Sequence, residues 1–526
     1  MASGGASGRP DDHVVRSPLP DIQIVDQPLP EFVLADALTR ADKPALIDGP
    51  SGRTLTYGAL AQGVRAFAAG LAARGFRPGE VMGIFSPNVP EYALAFHGIA
   101  SAGGAVTTIN PLSTADELSR QLHAAGARFL LTVPPFAETA TAAAGKAGVE
   151  EVFVIGEAEG LTPMTTLLGD PAAAPTLQID TAEHLVALPF SSGTTGLPKG
   201  VMLTHRNLAT NVAQANALLE SKEHDVVIGV LPFFHIYGMT VIMNLALREG
   251  ATVITMPRFD LEQFLRLHQE HGVTRGYVVP PIVLAMAKHP LVEQFDVSAL
   301  DVVMSGAAPL SGELSEAAAK RLGCTVLQGY GLTETSPVTH VNPRDRNKPG
   351  TVGVLLPNTE GKVVDVNTGE ALAPGERGEV CMRGPQIMKG YLNDPDATAA
   401  MIDEDGWLHS GDIGVVDDEG YFTIVDRVKE LIKYKGYQVA PAELEALLLE
   451  HPQITDAAVI GRADEEAGEI PVAYVVAEGM DAGGVMAYVA ERVAPHKKVR
   501  AVEFIEAIPK SPSGKILRRE LVAAER

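Results

Sequence analysis

From residue 184 to residue 331 the chain alternates short apolar runs with longer amphipathic ones. "HLVALPF" and "GVMLTH" read as strands, and "NLATNVAQANALL" as a helix with Thr204 or Asn207 near its start. Then come "DVVIGVLP" (strand), "MTVIMNLALREG" (helix ending in Gly250) and "ATVITMP" (strand). "DLEQFLRLHQEHG" is a helix capped by Asp260 and stopped by Gly272. "GYVVP", "PIVLAMAKH", "LDVVMSG", "SGELSEAAAKRLG" and "CTVLQGY" continue the pattern, and residues 40–160 show a similar one. Strands alternating with helices of about 10–15 residues predict βαβ units and a parallel sheet. After about residue 350 short alternating runs lie between turn residues, as in "TEGKVVDVNTGEALAPGERGEVCMRG", which predicts antiparallel β structure. Beyond Arg427 a small α+β domain of about 100 residues is expected, with Pro441 in the first turn of a helix.

The charge balance narrows the partners. Lys plus Arg number 42 and Asp plus Glu 65, a net charge of −23. Such a chain is a poor nucleic-acid or anionic-membrane binder, so a polyanionic ligand has to meet locally concentrated cations. The longest apolar runs are too short to span a bilayer. The Gly/Ser/Pro-rich start lacks a secretory h-region and is expected to be a disordered arm over residues 1–20. Two cysteines, Cys324 and Cys381, give neither a disulfide framework nor a zinc site, which suits a reducing cytoplasm. The final "AAER" is not a peroxisomal tripeptide.

Several segments carry candidate chemistry. "SSGTTGLPKG" (191–200) offers backbone N–H groups, hydroxyls and Lys199 to phosphates, although it is not the P-loop of ordinary NTPases. "PFFHIYG" places His235 and Tyr237 at a strand end, where an α/β sheet binds its ligand. "QGYGLTE" offers Tyr330 for stacking, Thr333 for a phosphate and Glu334 for Mg²⁺. "HSGDIG" offers Asp412 to ribose hydroxyls. "VDRVKELIKYKGYQ" concentrates four cations, and "PKSPSGKILRREL" sets Lys515 in a Ser/Gly/Pro turn. Taken singly, these read as a surface loop, a core histidine, a capped turn, an Asx-turn and a solvated charged face.

Jointly and in this order, over roughly residues 30–520, the segments resemble the adenylate-forming superfamily: acyl-CoA synthetases, luciferase and peptide-synthetase adenylation domains. "SSGTTGLPKGVMLTH" and "GEVCMRGPQIMKGYLNDPDAT" are most similar to 4-coumarate:CoA ligases and related acyl-CoA synthetases. The resemblance implies a large α/β N-terminal domain of doubly wound subdomains plus a small β-barrel subdomain, and a small mobile α+β C-terminal domain. The expected bounds are 21–426 for the N-terminal domain, 350–426 for its β-rich part and 427–526 for the swinging domain.

The resemblance also implies two half-reactions: a carboxylate attacks the α-phosphorus of MgATP, then the CoA thiol displaces AMP. Ser191, Ser192, Gly193, Thr194, Thr195, Gly196 and Lys199 would grip the β- and γ-phosphates. Tyr330 would stack on adenine beside the backbone of Gly306, Ala307 and Ala308, with Gln328, Gly329 and Gly331 around it. Asp412 and Arg427 would hold the ribose, Thr333 the α-phosphate, and Glu334 the metal, while Lys433 and Gln438 would serve the thioester step or touch the nucleotide. Lys515, His235, Thr333 and Glu334 are the expected catalytic set. Lys429 would be the hinge, and Lys435, Gly436 and Tyr437 would reach CoA.

The acid would lie among His235, Tyr237, Gly306, Ala307, Gly329, Gly331, Pro337 and Val338, with Gly331 leaving room for a large acid. "FFHIYG" has no carboxylate to pair an α-amino group, and an unpaired buried charge costs several kcal/mol, which weighs against amino-acid substrates. A cinnamate-like aromatic acid fits the resemblance, and a medium- or long-chain fatty acid is the alternative. A luciferase-like oxidase, a non-enzymatic relative and a carrier-directed acyl-AMP ligase fit less well. The oligomeric state stays open between monomer and homodimer.

Overall fold

The computed structural model describes residues 13–191, 198–427, 430–435, 437–464, 466–511 and 514–524, with the Gln438 side chain outside that description. Two nine-stranded sheets form its larger part. In the first, Ala105–Ile109, Val81–Phe85, Ala127–Thr132, Glu151–Val154 and Thr162–Pro163 run parallel. Its other end carries Leu185–Ala187, Lys199–Thr204 and Phe190–Ser191, and Gly390–Tyr391 pairs on Lys199–Thr204.

The second sheet positions the site. Its parallel centre runs Thr325–Gly331, Val302–Ser305, Arg275–Val278, Val226–Gly229, Thr252–Thr255 and Pro44–Asp48. Chain order reverses at Val226–Gly229, whose sequence successor Thr252–Thr255 lies on one side and Arg275–Val278 on the other. Ligands of open α/β sheets bind in the crevice outside the strand ends at such a switch point. The segment carrying His235 leaves Val226–Gly229 there. One apolar cluster, including Phe67, Phe96, Phe233 and Phe264, joins both sheets and their helices.

Local signals set several boundaries. Thr204 caps His205–Leu219 in a reciprocal capping box with Asn207. Asp260 caps Leu261–His271, and Gly272 ends it in the left-handed region. The segment after Tyr237 differs from the single α-helix expected. It is a π-helix, Gly238–Asn244, followed by a short α-helix, Leu245–Glu249. Widened turns of this kind recur at functional sites.

Glu360–Val364, Gly378–Arg383, Leu408–Val416 and Phe422–Arg427 form an antiparallel sheet around Val363, Val380, Met382 and Phe422. A bridge between Phe422 and Gly353 ties its last strand towards the second large sheet. Its first edge corrects the expectation of a disordered arm through residue 20. Val15–Arg16 pairs with Gly361 and Glu360, Arg16 bonds the Glu360 carboxylate at 2.9 Å, and Ser17 bonds the Leu355 carbonyl. The backbone partners come from residues hundreds of positions away.

Beyond Arg427 a separate sheet forms from Ile432–Tyr434, Tyr437–Val439, Ile454–Asp464, Gly468–Ala477 and Ala501–Phe504. Helices Pro441–Glu450 and Ala482–Ala490 cover it around Leu444, Leu448, Val485 and Val489. This body touches the larger one: Lys288 donates to the Leu449 carbonyl (3.1 Å), and Gly514 lies against Val279. Among the described residues no helix is long and apolar enough to cross a membrane.

Candidate functional site

A cavity of about 2440 Å³ lies outside the ends of the second sheet and is closed on one side by the C-terminal body. It is walled by His235 and Tyr237, by the strand end Gln328–Gly331, by Asp412 and Arg427, and by Lys515.

Asp412 sits in Leu408–Val416, only 5 % exposed. Its Oδ2 accepts a 2.6 Å hydrogen bond from the Tyr330 hydroxyl, and Arg427 Nε stands 3.4 Å from Oδ1. Burial raises the Asp412 pKa, while Arg427 and the Tyr330 hydroxyl oppose the rise. Tyr330 is driven well above its ordinary value by burial and by the Asp412 charge. Gln328 Oε1 accepts the Leu310 N–H, whereas Gln328 Nε2 is buried with no partner among the described residues. Ser191 Oγ, also on the cavity wall, is likewise buried and unpartnered among them. A buried donor without a partner costs about 1–3 kcal/mol, so both atoms suit a polar ligand.

Glu334 follows Thr333 in the turn Thr333–Thr335 and is 6 % exposed on the cavity wall. Its Oε1 accepts a 2.8 Å bond from the Tyr391 hydroxyl. Lys199 lies over the Tyr391 ring at 5.1 Å and pairs with Asp394 at 3.7 Å. Tyr391 was not singled out from the sequence. It reaches Glu334 only because Gly390–Tyr391 pairs with Val201 and Met202, next to Lys199.

His235 is enclosed, and burial with the nearby Lys515 charge lowers its pKa to about 4. Its Nδ1 accepts the Tyr237 backbone N–H at 3.3 Å, so in the neutral ring Nε2 carries the proton and can donate. The Tyr237 hydroxyl donates to the Met304 carbonyl at 3.1 Å, which fixes the ring. A Cβ on Gly306 would stand 3.1 Å from that ring, and Ala307 beside it has φ +69°. An alanine in the left-handed region is backbone strain of the kind found at functional sites.

Gly331 is small for a different reason from the one expected. Its Cβ would meet the Pro337 carbonyl oxygen at 1.7 Å, and that of Gly329 would meet the Met304 methyl at 2.2 Å. Both are held by close packing behind the wall rather than by a need for pocket space. Pro337 and Val338 line the same wall.

Lys515 enters from the C-terminal body. Its backbone N–H donates to Ser511 Oγ, and the segment is anchored by Lys510 on Asp456 at 2.7 Å and Arg518 on Glu430 and Glu445 at 2.8 Å. Burial lowers the Lys515 pKa to about 8, with Arg427 helping and Glu430 and Asp412 opposing. His235, Asp412, Arg427 and Lys515 thus meet in one cavity although up to 280 positions separate them in sequence.

Other candidates are not brought there. Lys433 and Lys435 are exposed, and the Lys433 backbone N–H donates to the Glu469 carboxylate at 2.7 Å. Tyr437 is 58 % exposed and stacks on His496 at 4.7 Å. Lys433 lies on the strand Ile432–Tyr434, Lys435 directly follows it, and Tyr437 opens the strand Tyr437–Val439. Ser192, Gly193, Thr194, Thr195, Gly196, Lys429, Gly436 and the Gln438 side chain lie outside the described residues.

A family model described as AMP-binding enzyme matches residues 34–392, and one described as AMP-binding enzyme C-terminal domain matches 443–515. The chain is 46 % identical over 506 residues to 4-coumarate–CoA ligase 5 of Oryza sativa subsp. japonica, covering 94 % of this chain and 93 % of that protein. It is 45 % identical over 504 residues to 4-coumarate–CoA ligase of Pinus taeda, covering 91 % and 92 %. Among solved structures it is similar to ATP-bound MatB from Rhodopseudomonas palustris, with TM-score 0.86 and 28 % identity over 95 % of this chain and 99 % of that one.

Proposed function

This chain belongs to the AMP-binding enzyme family, and from that premise we propose that it joins a cinnamate-like aromatic acid to coenzyme A through an acyl-adenylate. It is an AMP-forming acid–thiol ligase that uses ATP, Mg²⁺ and CoA. The observation that carries the site assignment is Lys515 seated in the cavity with Asp412 and His235.

In the first step two anions meet. The acid's carboxylate oxygen attacks the α-phosphorus, an O–P bond forms, and the bond to pyrophosphate breaks. Lys515 offsets the charge that gathers at the phosphorus, in a water-poor site where a fixed cation acts strongly. His235 Nε2–H donates to the acid's carboxylate and orients it. Asp412 and Arg427 hold the ribose, Tyr330 faces the base, and Gln328 Nε2 and Ser191 Oγ are donors awaiting the nucleotide. Thr333 and the 191–199 loop hold phosphates. Glu334 and the nucleotide's phosphate oxygens are hard donors that suit Mg²⁺, which when bound neutralises phosphate charge. In the second step the C-terminal domain, 427–526, turns about Lys429 and withdraws Lys515. The face carrying Lys435, Gly436 and Tyr437 then meets CoA, whose sulfur attacks the acyl carbonyl as AMP leaves.

The aromatic acid is supported by the 4-coumarate–CoA ligase relatives and by the cavity wall in which the Tyr237 ring packs against Gly306. Free thiols at Cys324 and Cys381 support a reducing cytoplasm as the working compartment. The test is mass spectrometry of products from ATP, Mg²⁺, CoA and a panel of cinnamates, benzoates, fatty acids and amino acids. Hydroxycinnamoyl-CoA with AMP is expected to dominate. Dominant fatty acyl thioesters would overturn the aromatic reading, and adenylate without thioester would overturn CoA as acceptor.

A further inference from the structure

Beside the strand that carries Asp412 lies a second group of donors that the ligase chemistry does not use. Gly378–Arg383 and Leu408–Val416 are antiparallel neighbours, and Cys381 lies directly across from His409. Glu379 is two positions before Cys381, and alternate residues of a strand share a face. Three different donor types therefore converge: the His409 Nδ1 atom is 3.0 Å from Glu379 Oε2 and 3.4 Å from Cys381 Sγ. All three donor atoms lie within 4.8 Å of one another.

Against the expectation from cysteine count alone that this chain has no zinc site, we propose that Glu379, Cys381 and His409 form a binding site for a thiophilic divalent cation of the zinc type. A tetrahedral zinc with Zn–S about 2.3 Å and Zn–N about 2.0–2.1 Å holds its sulfur and nitrogen about 3.5 Å apart. The observed 3.4 Å needs a shift of only about a tenth of an ångström. Thiolate, imidazole and carboxylate together suit zinc better than the hard cations that prefer oxygen alone.

The surroundings fix each donor. Asp403 Oδ2 stands 3.5 Å from His409 Nε2, where an orienting carboxylate stands behind a metal-bound histidine. Glu379 Oε1 accepts the Gly411 N–H at 2.9 Å, which leaves Oε2 to turn towards an ion. Cys381 is fully buried, whereas Glu379 and His409 line the large cavity and give an ion its way in. Gly411 immediately precedes Asp412, so the site is joined by one backbone hydrogen bond to the ribose-holding carboxylate.

Cobalt(II), the spectroscopic stand-in for zinc, is titrated alone into the full-length protein. One equivalent is expected to produce a sulfur-to-cobalt charge-transfer band that zinc abolishes by displacement. Cys381→Ser should lose the band and Cys324→Ser, which alters the other thiol, should keep it. His409→Gln, at a partly exposed position, covers the case in which Cys381→Ser does not fold, and should lose stoichiometric binding. Asp403→Asn should weaken binding by about 10–100-fold. No band in the wild-type protein, a band lost in Cys324→Ser instead, or unchanged binding in His409→Gln would overturn the proposal.

Discussion

The Tyr330 hydroxyl is hydrogen-bonded to Asp412 at 2.6 Å, so the ring expected to face the base and the carboxylate expected to hold the ribose are one unit. A carboxylate has about four acceptor positions, which leaves room for sugar hydroxyls beside the phenol. Tyr330→Phe keeps the ring and removes a hydrogen bond to a charged group, worth about 1.5–3 kcal/mol. The ATP KM should rise about tenfold or more, with little change in the KM for the acid. Steady-state kinetics with each substrate varied checks this, and an unchanged ATP KM would separate the two residues functionally.

Lys515 should give the first half-reaction an alkaline limb. Its pKa is lowered to about 8, so the side chain is cationic below that pH and neutral above it. Because kcat/KM reports free-enzyme ionisations, kcat/KM for ATP-dependent adenylate formation should fall as pH rises through about 8. In Lys515→Arg, whose side chain stays charged, the limb should move to higher pH. Pyrophosphate release against pH measures both. Lys515→Ala should abolish adenylate formation and leave pre-formed adenylate reactive towards CoA.

Acid size should be read at Gly306 rather than at Gly331. A methyl on Gly306 would press the Tyr237 ring, 3.1 Å away, and push that ring out of its place in the cavity wall. Gly306→Ala should lower kcat/KM for bulky cinnamates by about tenfold relative to small acids, within the ~1–3 kcal/mol that pocket shape supplies. Gly331→Ala should instead lower the melting temperature, because its Cβ meets the Pro337 carbonyl oxygen at 1.7 Å. A specificity change in Gly331→Ala without loss of stability would reverse the assignment.

Arg275 and Asp225, each 3 % exposed at the side chain, form a buried pair at the base of the second sheet. Arg275 also donates to the Leu219 and Glu220 carbonyls at 2.6 and 2.7 Å. Arg275→Met should leave Asp225 buried with an uncompensated charge and cost about 3–5 kcal/mol. Denaturant unfolding should show this, with ATP binding retained in the folded fraction.

The sequence exposes what local chemistry marks and hides what long-range pairing makes. Thr204, Asp260 and Gly272 announce helix ends because capping acts over three or four residues. Asp412, Glu334 and Lys515 stand out because their segments carry a recognisable order. Tyr391 has no such mark, since its bond to Glu334 depends on a two-residue strand pairing near Lys199. Val15–Arg16 is hidden for the same reason: two residues cannot show alternation, and their partners begin at Glu360. Gly331 was legible as small but not as backbone-packed, because a missing side chain does not say what stands in its place.

His235, Tyr237 and Gly306, which line the cavity where the proposed acid would lie, all precede residue 427, and Lys515 follows it. Recognition and chemical drive are therefore written in separate stretches of one gene. A recombination crossing near Arg427 would exchange the activating lysine while the choice of acid descends with the longer parent, so new substrates can arise by inheritance of one part without reinvention of the other.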